Sequence, residues 1–256
     1  MFKRAIVRPP AANFAEGLST ANLGKPDFKK ALEQHTRYCA ALEQCGLAVT
    51  RLEPDERYPD STFVEDVAVL TEHCAILTHP GAASRKGEVA SIREPLARFY
   101  SKFQTLTPPG TLDGGDICEA GTHFFIGVSE RTNAAGARQL AGFLAQEGYP
   151  STPVDIHGVT GILHLKSGIA YLGDNRLVLI DALAGRPAFQ GYDSVRVKPA
   201  ENYAANCVRV NDYVLLAAGY PAFAAAVRGL GYPVIALDMS EYRKMDGGLS
   251  CLSLRF

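Results

Sequence analysis

Met245-Asp246-Gly247-Gly248-Leu249-Ser250-Cys251-Leu252-Ser253-Leu254-Arg255-Phe256 is the stretch around which the chain is organised. Two adjacent glycines permit a sharp turn or a close backbone approach. Leu252 and Leu254, separated by Ser253, alternate with period two and predict a short strand. Cys251 stands where the turn gives way to the strand. A thiol placed there is held rigidly and can still face a cavity. Free cysteine is also among the most buried residue types, so on this stretch alone a core thiol is the better reading. The rest of the chain reverses that balance, because the same kind of strand entrance recurs.

Working back along the chain, comparable entrances carry Cys207, His164, Asp113 and Asp66, spaced roughly 45 to 50 residues apart. Each opens a round of two or three strands, usually with one helix. The first round has strands over 63–70 and 74–78, a helix with Val89, Ile92, Leu96 and Phe99 on one face, and a closing strand over 103–106. The second has strands over 116–118 and 123–128. Its helix starts near Thr132 or Asn133, buries Leu140, Phe143 and Leu144, and stops at Gly148. The third has strands over 161–165, 169–172 and 177–180. The fourth has strands over 207–210 and 213–216, a helix between Pro221 and Gly231, and a strand over 234–237. The fifth opens at Cys251 and is completed by a strand over 1–7, a long loop over 9–27, a helix from Pro26 or Asp27 capped by Gly46, and a strand over 47–52.

A period of this length marks a solenoid, a propeller or an array. Closure into a ring removes exposed sheet edges, so the expected fold is a fivefold pseudosymmetric α/β propeller of ββαβ repeats. No linker rich in proline, glycine or serine divides it, and residues 1–256 are expected to form one closed domain. A ring would bring the five entrances toward one cavity.

The composition is that of an ordinary globular protein, 47% hydrophobic and 21% charged with a formal net charge of −1. That balance argues against a nucleic-acid partner, which leaves a basic footprint. No apolar run approaches a membrane span, and the first residues are too short a run for a signal segment. The six cysteines (39, 45, 74, 118, 207 and 251) form no CxxC pair and no metal-type cluster. They suit reduced thiols and a cytoplasmic protein. The sequence leaves a homodimer open.

A thiol, an imidazole and carboxylates converging on one cavity are the parts for covalent catalysis. Taken singly, each has an ordinary explanation: His164 between Leu163 and Leu165 as a core residue, the acids beside glycine as turn formers, Arg85 and Arg131 as solvated surface. Together they are harder to dismiss. Asp60, Glu65 and Asp66 lie by one entrance, Asp113 and Asp116 by the next. Several acids around one cavity call for a cationic occupant. Arg85 and Arg131, in corresponding loops before successive helices, can clamp a carboxylate by paired hydrogen bonds. A substrate that is cationic at one end and an α-carboxylate at the other has the shape of arginine.

Six segments carry a resemblance: Gly24-Lys25-Pro26-Asp27, Pro59-Asp60-Ser61-Thr62-Phe63-Val64-Glu65-Asp66, Leu112-Asp113-Gly114-Gly115-Asp116, Ser129-Glu130-Arg131-Thr132-Asn133, Leu163-His164-Leu165-Lys166-Ser167-Gly168 and Asp246-Gly247-Gly248-Leu249-Ser250-Cys251. Together they resemble the dimethylarginine dimethylaminohydrolase family, whose superfamily of guanidino-group-modifying enzymes has the fivefold α/β propeller, or pentein, fold. The resemblance runs from end to end. It implies hydrolysis of Nω-methylated arginines to citrulline plus methylamine or dimethylamine, with no metal or organic cofactor. It implies Cys251 as nucleophile, His164 as general acid and base, and Asp113 orienting His164. Asp60, Glu65 and Asp66 are implied to hold the guanidinium and amino end, Arg85 and Arg131 the α-carboxylate. Leu18, through its backbone carbonyl, and Met245 are implied to lie near the substrate. Some family members carry glutamate where this chain has Asp113. The rival readings are a hydrolase of arginine or another guanidine, a non-catalytic propeller that binds a partner, and a cysteine peptidase, for which the acid-lined cavity is ill suited.

Overall fold

The computed structural model describes residues 1–256. They form five three-stranded sheets built to one plan. In each, a first strand runs antiparallel to a middle strand, and a third strand pairs parallel on the other side. A parallel neighbour cannot be reached by a tight turn and needs a crossover. Helices supply it: Glu88–Ala97, Ala134–Gln146 and Pro221–Gly229 in three sheets, and the short Asp181–Ala184 in a fourth. In the fifth, Arg4–Val7 pairs parallel with Ala48–Arg51 across the helix Phe28–Gln44 and antiparallel with Leu254–Arg255. The two ends of the chain thus share one sheet, as the repeat requires.

Two compact units are described in turn. The first comprises Met1–Val64 and Asn206–Phe256. It holds the sheet just described and the sheet of Val208–Val210, Tyr213–Ala217 and Val234–Leu237. The helix Phe28–Gln44 begins where Asp27 accepts the Lys30 N–H at 2.9 Å, satisfying one of the orphan donors of its first turn. Its inner face buries Ala31, Tyr38 and Leu42. Phe14, Phe63 and Tyr242 pack as a ring cluster with centroids 5.4 to 6.2 Å apart. Tyr38 and Ser253 share a buried hydroxyl–hydroxyl bond of 2.7 Å, which ties the helix to the segment following Cys251.

The second unit is Glu65–Ala205. Its sheets are Ala68–Leu70 with Ala75–Leu77 and Phe103–Thr105, Ile117–Ala120 with His123–Val128 and Ser151–Asp155, and Ile169–Gly173 with Arg176–Ile180 and Asp193–Val197. Val69, Ile76, Leu112, Phe124, Ile126, Leu140 and Leu144 belong to one buried cluster between sheet and helix.

Each expected entrance lies within a few residues before the first strand of a sheet, but its local form differs from the expectation. Residues 63–70 are not one strand: Val64–Val67 is a 3-10 turn and the strand is only Ala68–Leu70. Likewise the strand expected over 161–165 is absent, those residues running as turn and bend into the 3-10 turn Leu165–Ser167, and Ser250–Leu252 is a 3-10 turn where the strand of Leu252 and Leu254 was expected to begin. Apolar alternation continues through these turns because Leu165 and Leu252 are buried, so period two alone does not mark where pairing starts. The sequence reading also passes over the third strands Ser151–Asp155 and Asp193–Val197. Both are edge strands with a single buried residue each, Val154 and Val197, and the first contains Pro153, a residue confined to edges.

Candidate active site

In the second unit, three entrance turns are stitched together by their own carboxylates. Asp66, within Val64–Val67, accepts the Gly115 N–H on Oδ1 at 2.8 Å and Arg85 Nη1 on Oδ2 at 2.5 Å. Asp113 directly precedes the next turn, Gly114–Asp116; its Oδ1 accepts the Gly81 N–H at 2.8 Å and Oδ2 bonds His164 Nε2 at 3.2 Å. Asp116 accepts the Ser129 and Thr132 hydroxyls at 2.7 and 2.6 Å and the Leu165 N–H at 2.9 Å, so it fixes the turn that carries His164. Side-chain atoms of Asp66, Asp113 and His164 all lie within 4.8 Å of one another. The direct Asp113–His164 contact shows that aspartate reaches the imidazole despite being one methylene shorter than glutamate.

Those contacts set the charge states. Burial, the largest single influence on His164, favours the neutral ring, but Asp116, Asp66 and Asp113 together outweigh it and hold the imidazole pKa up at about 9. Burial also works against an ionised Asp66; Arg85 and His164 prevail and keep its pKa below the usual carboxylate range. Asp116 goes the other way, its pKa raised by burial in spite of His164 and its three donors. The Asp66, Asp113 and His164 trio has the spacing of a cation site, and Arg85 already supplies positive charge to it.

The two glycines between Asp113 and Asp116 are required by close approach. A Cβ on Gly114 would lie 2.0 Å from Glu65 O, and one on Gly115 would lie 2.8 Å from His164 Nδ1 and 2.9 Å from Asp66 Oδ1. Gly115→Ala therefore pushes directly on the imidazole. Overpacking of this kind costs about 1–3 kcal/mol, and we expect catalytic turnover to fall at least tenfold, on the order of 1.4 kcal/mol of barrier, while the chain still folds. Turnover within twofold of the parent would mean that the imidazole's placement does not limit the reaction.

The remaining charged residues of this unit divide by what they already hold. Glu65 Oε1 pairs with Lys166 Nζ at 2.5 Å. Arg85 is buried, with Nε and Nη2 on the two oxygens of Glu88 at 3.0 and 2.7 Å in addition to Asp66. Its sequence reading as a carboxylate clamp thus meets a guanidinium largely committed to two carboxylates. Arg131 sits half-buried in the loop Ser129 to Thr132, its backbone N–H on Ser129 Oγ at 3.0 Å, and its guanidinium makes no ion pair.

In the first unit, Asp60 is buried and accepts the Leu18 N–H on both oxygens, at 3.1 and 3.2 Å. Gly17 lies against this carboxylate and against Met245: a Cβ there would be 2.4 Å from Asp60 Oδ1 and 3.2 Å from Met245 Cε. Leu18, Asp60 and Met245 are therefore neighbours. The loop beyond Leu18 is tied to the segment leading to Cys251, with Ser19 Oγ donating to Lys244 O at 2.6 Å and the Thr20 N–H and hydroxyl donating to Asp246 Oδ2 at 2.5 and 3.0 Å. Cys251 is buried in the 3-10 turn Ser250–Leu252. Burial raises the thiol pKa of Cys39 and Cys74, to about 11 for Cys45 and to about 12 for Cys118, which leaves those four poor thiolates at neutral pH.

The sequence assigns no role to Lys166, Glu88, Ser250 or Asn206, and it places Asp116 only among the entrance acids, not as the residue that holds the His164 turn. Asp116 and Lys166 lie inside the motifs that carry the resemblance, and that adjacency is the signal that points to them. Glu88 and Asn206 have no such signal; each is defined by the residue it grips.

The chain as a whole resembles known proteins. No family model matches the chain. It is 49% identical over 257 residues, spanning 100% of both chains, to the N(G),N(G)-dimethylarginine dimethylaminohydrolase of Pseudomonas aeruginosa. It is 35% identical to the enzyme of the same name from Streptomyces coelicolor, over 99% of this chain and 96% of that one. A solved structure of the Pseudomonas aeruginosa protein, a cysteine-to-serine variant complexed with citrulline, superposes over the whole of both chains with a TM-score of 0.97 at 48% identity. That likeness gives this chain the pentein fold.

Proposed function

This chain belongs to the dimethylarginine dimethylaminohydrolase family, and from that premise we infer that it hydrolyses Nω-methylated arginines to citrulline, releasing methylamine or dimethylamine. The observation that carries the reading is the end-to-end identity with a curated enzyme of that activity.

In the mechanism we infer, the Cys251 thiolate adds to the guanidinium carbon. The carbon–nitrogen bond to the alkylated nitrogen breaks, and the amine leaves with a proton from His164. A thiouronium on Cys251 results, and the imidazole is now neutral. Water adds to the same carbon as the imidazole takes one of its protons, the carbon–sulfur bond breaks to return the thiolate, the remaining hydroxyl proton passes to solvent, and citrulline departs. One residue serves as acid and then as base. The carboxylates around His164 supply the first role, because they keep the ring protonated at neutral pH. Asp60, Glu65 and Asp66 hold the cationic groups of the substrate by charge-assisted bonds, with Leu18 O at the amino end and Met245 beside it.

Arg131 is the principal anchor for the α-carboxylate in this reading. Arg85 shares the task while keeping Asp66 and Glu88 neutralised, so its removal would leave buried charges uncompensated and disturb the fold. Arg131→Ala is the cleaner test. We expect KM to rise on the order of tenfold or more, the scale of a charged hydrogen bond at about 1.5–3 kcal/mol, with kcat within a few-fold and Arg131→Lys intermediate. An unchanged KM would remove Arg131 from the carboxylate site.

The same reading has residues 1–256 acting as a single closed catalytic domain in the cytoplasm. The six cysteines are all free thiols, which suits a reducing compartment, and no helix is long and apolar enough to cross a membrane. Sedimentation of the purified chain separates a monomer from a homodimer. The test of function is citrulline release from asymmetric dimethylarginine, monomethylarginine and arginine. Turnover of the methylated substrates is expected; turnover of arginine alone would make the chain a deiminase by the same chemistry.

A further inference from the structure

Four of the five strand entrances supply a residue to the proposed mechanism or its substrate; the fourth, at Cys207, supplies none. Cys207 is buried directly before the strand Val208–Val210. Its neighbour Asn206 has a different environment. Asn206 Oδ1 accepts the Ser250 N–H at 3.0 Å, and Asn206 Nδ2 donates to Ser250 Oγ at 3.1 Å. One buried amide thus grips both the backbone and the side chain of a residue 44 positions away. Gly248 packs onto that amide so closely that a Cβ would lie 2.4 Å from Asn206 Oδ1. Ser250 Oγ in turn stands 3.9 Å from Cys251 Sγ.

The chemistry of a hydroxyl gives this chain of contacts a direction. Ser250 Oγ has one hydrogen and two lone pairs. With a lone pair occupied by the Asn206 amide hydrogen, its own hydrogen is left to be given elsewhere, and the neighbouring acceptor is the cysteine sulfur. A hydrogen bond to the charged form of an acid lowers its pKa.

We propose that Asn206 and Ser250 are positioning residues for the nucleophile: Asn206 fixes the Ser250 hydroxyl so that its hydrogen is directed at Cys251 Sγ and stabilises the thiolate. The fourth entrance then contributes to the site through Asn206 rather than through Cys207. The inference rests on Cys251 being the nucleophile. It adds a donor that belongs to the same unit as the thiol and acts before any substrate is bound.

The test is the pH dependence of Cys251 alkylation by iodoacetamide, read on the Cys251 peptide by mass spectrometry. It is run on the parent, Ser250→Ala, Asn206→Ala and the double variant, with thermal unfolding as a control for folding. Ser250→Ala is expected to move the alkylation midpoint to higher pH by about half to one unit. At neutral pH it should lower kcat by roughly three- to tenfold, since each unit of thiolate pKa is a tenfold change in thiolate fraction, with KM within twofold. Asn206→Ala should produce the same shift, and the double variant no more than either alone, because the two act through one hydrogen. A purely structural clamp predicts otherwise, with lower unfolding temperatures and an unmoved midpoint. A Ser250→Ala profile that superposes on the parent's overturns the proposal, as do shifts that add in the double variant. If Asn206→Ala does not fold, the Ser250→Ala midpoint alone decides. Citrulline release that survives Cys251→Ser would instead refute the assignment of the nucleophile, which separates the two failures.

Discussion

Cys251→Ser is expected to release no measurable citrulline from asymmetric dimethylarginine, a loss on the order of 10⁴-fold or more, as when a covalent nucleophile is removed from an enzyme. The physical reason is ionisation and leaving ability. A thiol provides some thiolate at neutral pH and is intrinsically a strong nucleophile, and a sulfur bonded to an amidine carbon can be expelled by water. A serine hydroxyl offers neither property without a base dedicated to it. The substitution changes little volume in the buried turn Ser250–Leu252, so the fold is expected to persist. Intact-mass analysis sharpens the result. The parent, quenched during turnover, should carry a covalent adduct on the peptide containing Cys251, and the variant none. Turnover of Cys251→Ser within tenfold of the parent would remove the thiol from the chemistry.

The second large effect concerns His164. In the proposed mechanism, replacing it by asparagine takes away the acid that protonates the leaving amine and the base that activates water. General acid–base groups contribute about 10²–10⁴-fold each way, and a loss of about 10³-fold is expected, with substrate binding retained. The pH profile carries the sharper prediction. Because the folded-state pKa of His164 is held up at about 9, above the ordinary histidine value of 6.5, the imidazolium is fully present below about pH 6.5 and disappears as pH rises through about 9. Turnover limited by amine departure should therefore fall on its alkaline side near pH 9. The stabilisation that the surrounding carboxylates give the folded chain through this ring should be lost over the same interval. Asp113→Asn removes one of the influences that raise this pKa, so the alkaline limb should move toward neutral pH. A limb that stays in place in Asp113→Asn would show that another group, and not His164, controls it.

The five-sheet repeat and the identity of the entrance residues were legible in the chain alone. Hairpins followed by a helix produce a regular interval of apolar runs, and that signal is local: Ala68–Leu70 with Ala75–Leu77 and Ile117–Ala120 with His123–Val128 each announce themselves within a dozen residues. Edge strands such as Ser151–Asp155 did not, because an exposed edge needs no apolar pattern and tolerates Pro153. The site divides in the same way. Asp66, Asp113, His164 and Cys251 are proposed as site residues from their place at the entrances and from the motifs around them. Which contacts their side chains make could not be found that way. The Asp113–His164 bond spans 51 residues of sequence and is made at 3.2 Å, and no periodicity specifies whether a carboxylate one methylene shorter reaches its partner.

What the sequence determined by itself, then, is the chemical content of the five entrances, since residue type and spacing are properties of the chain. Tertiary structure decided the partnerships: Arg85 turned toward Asp66 and Glu88, Lys166 toward Glu65, Gly115 left bare to admit the imidazole, and Asn206 rather than Cys207 set against Ser250. Hydrogen bonds and charge pairs are won or lost within a few tenths of an ångström. Distances on that scale between residues far apart in the chain exist only once the turns that carry them are packed.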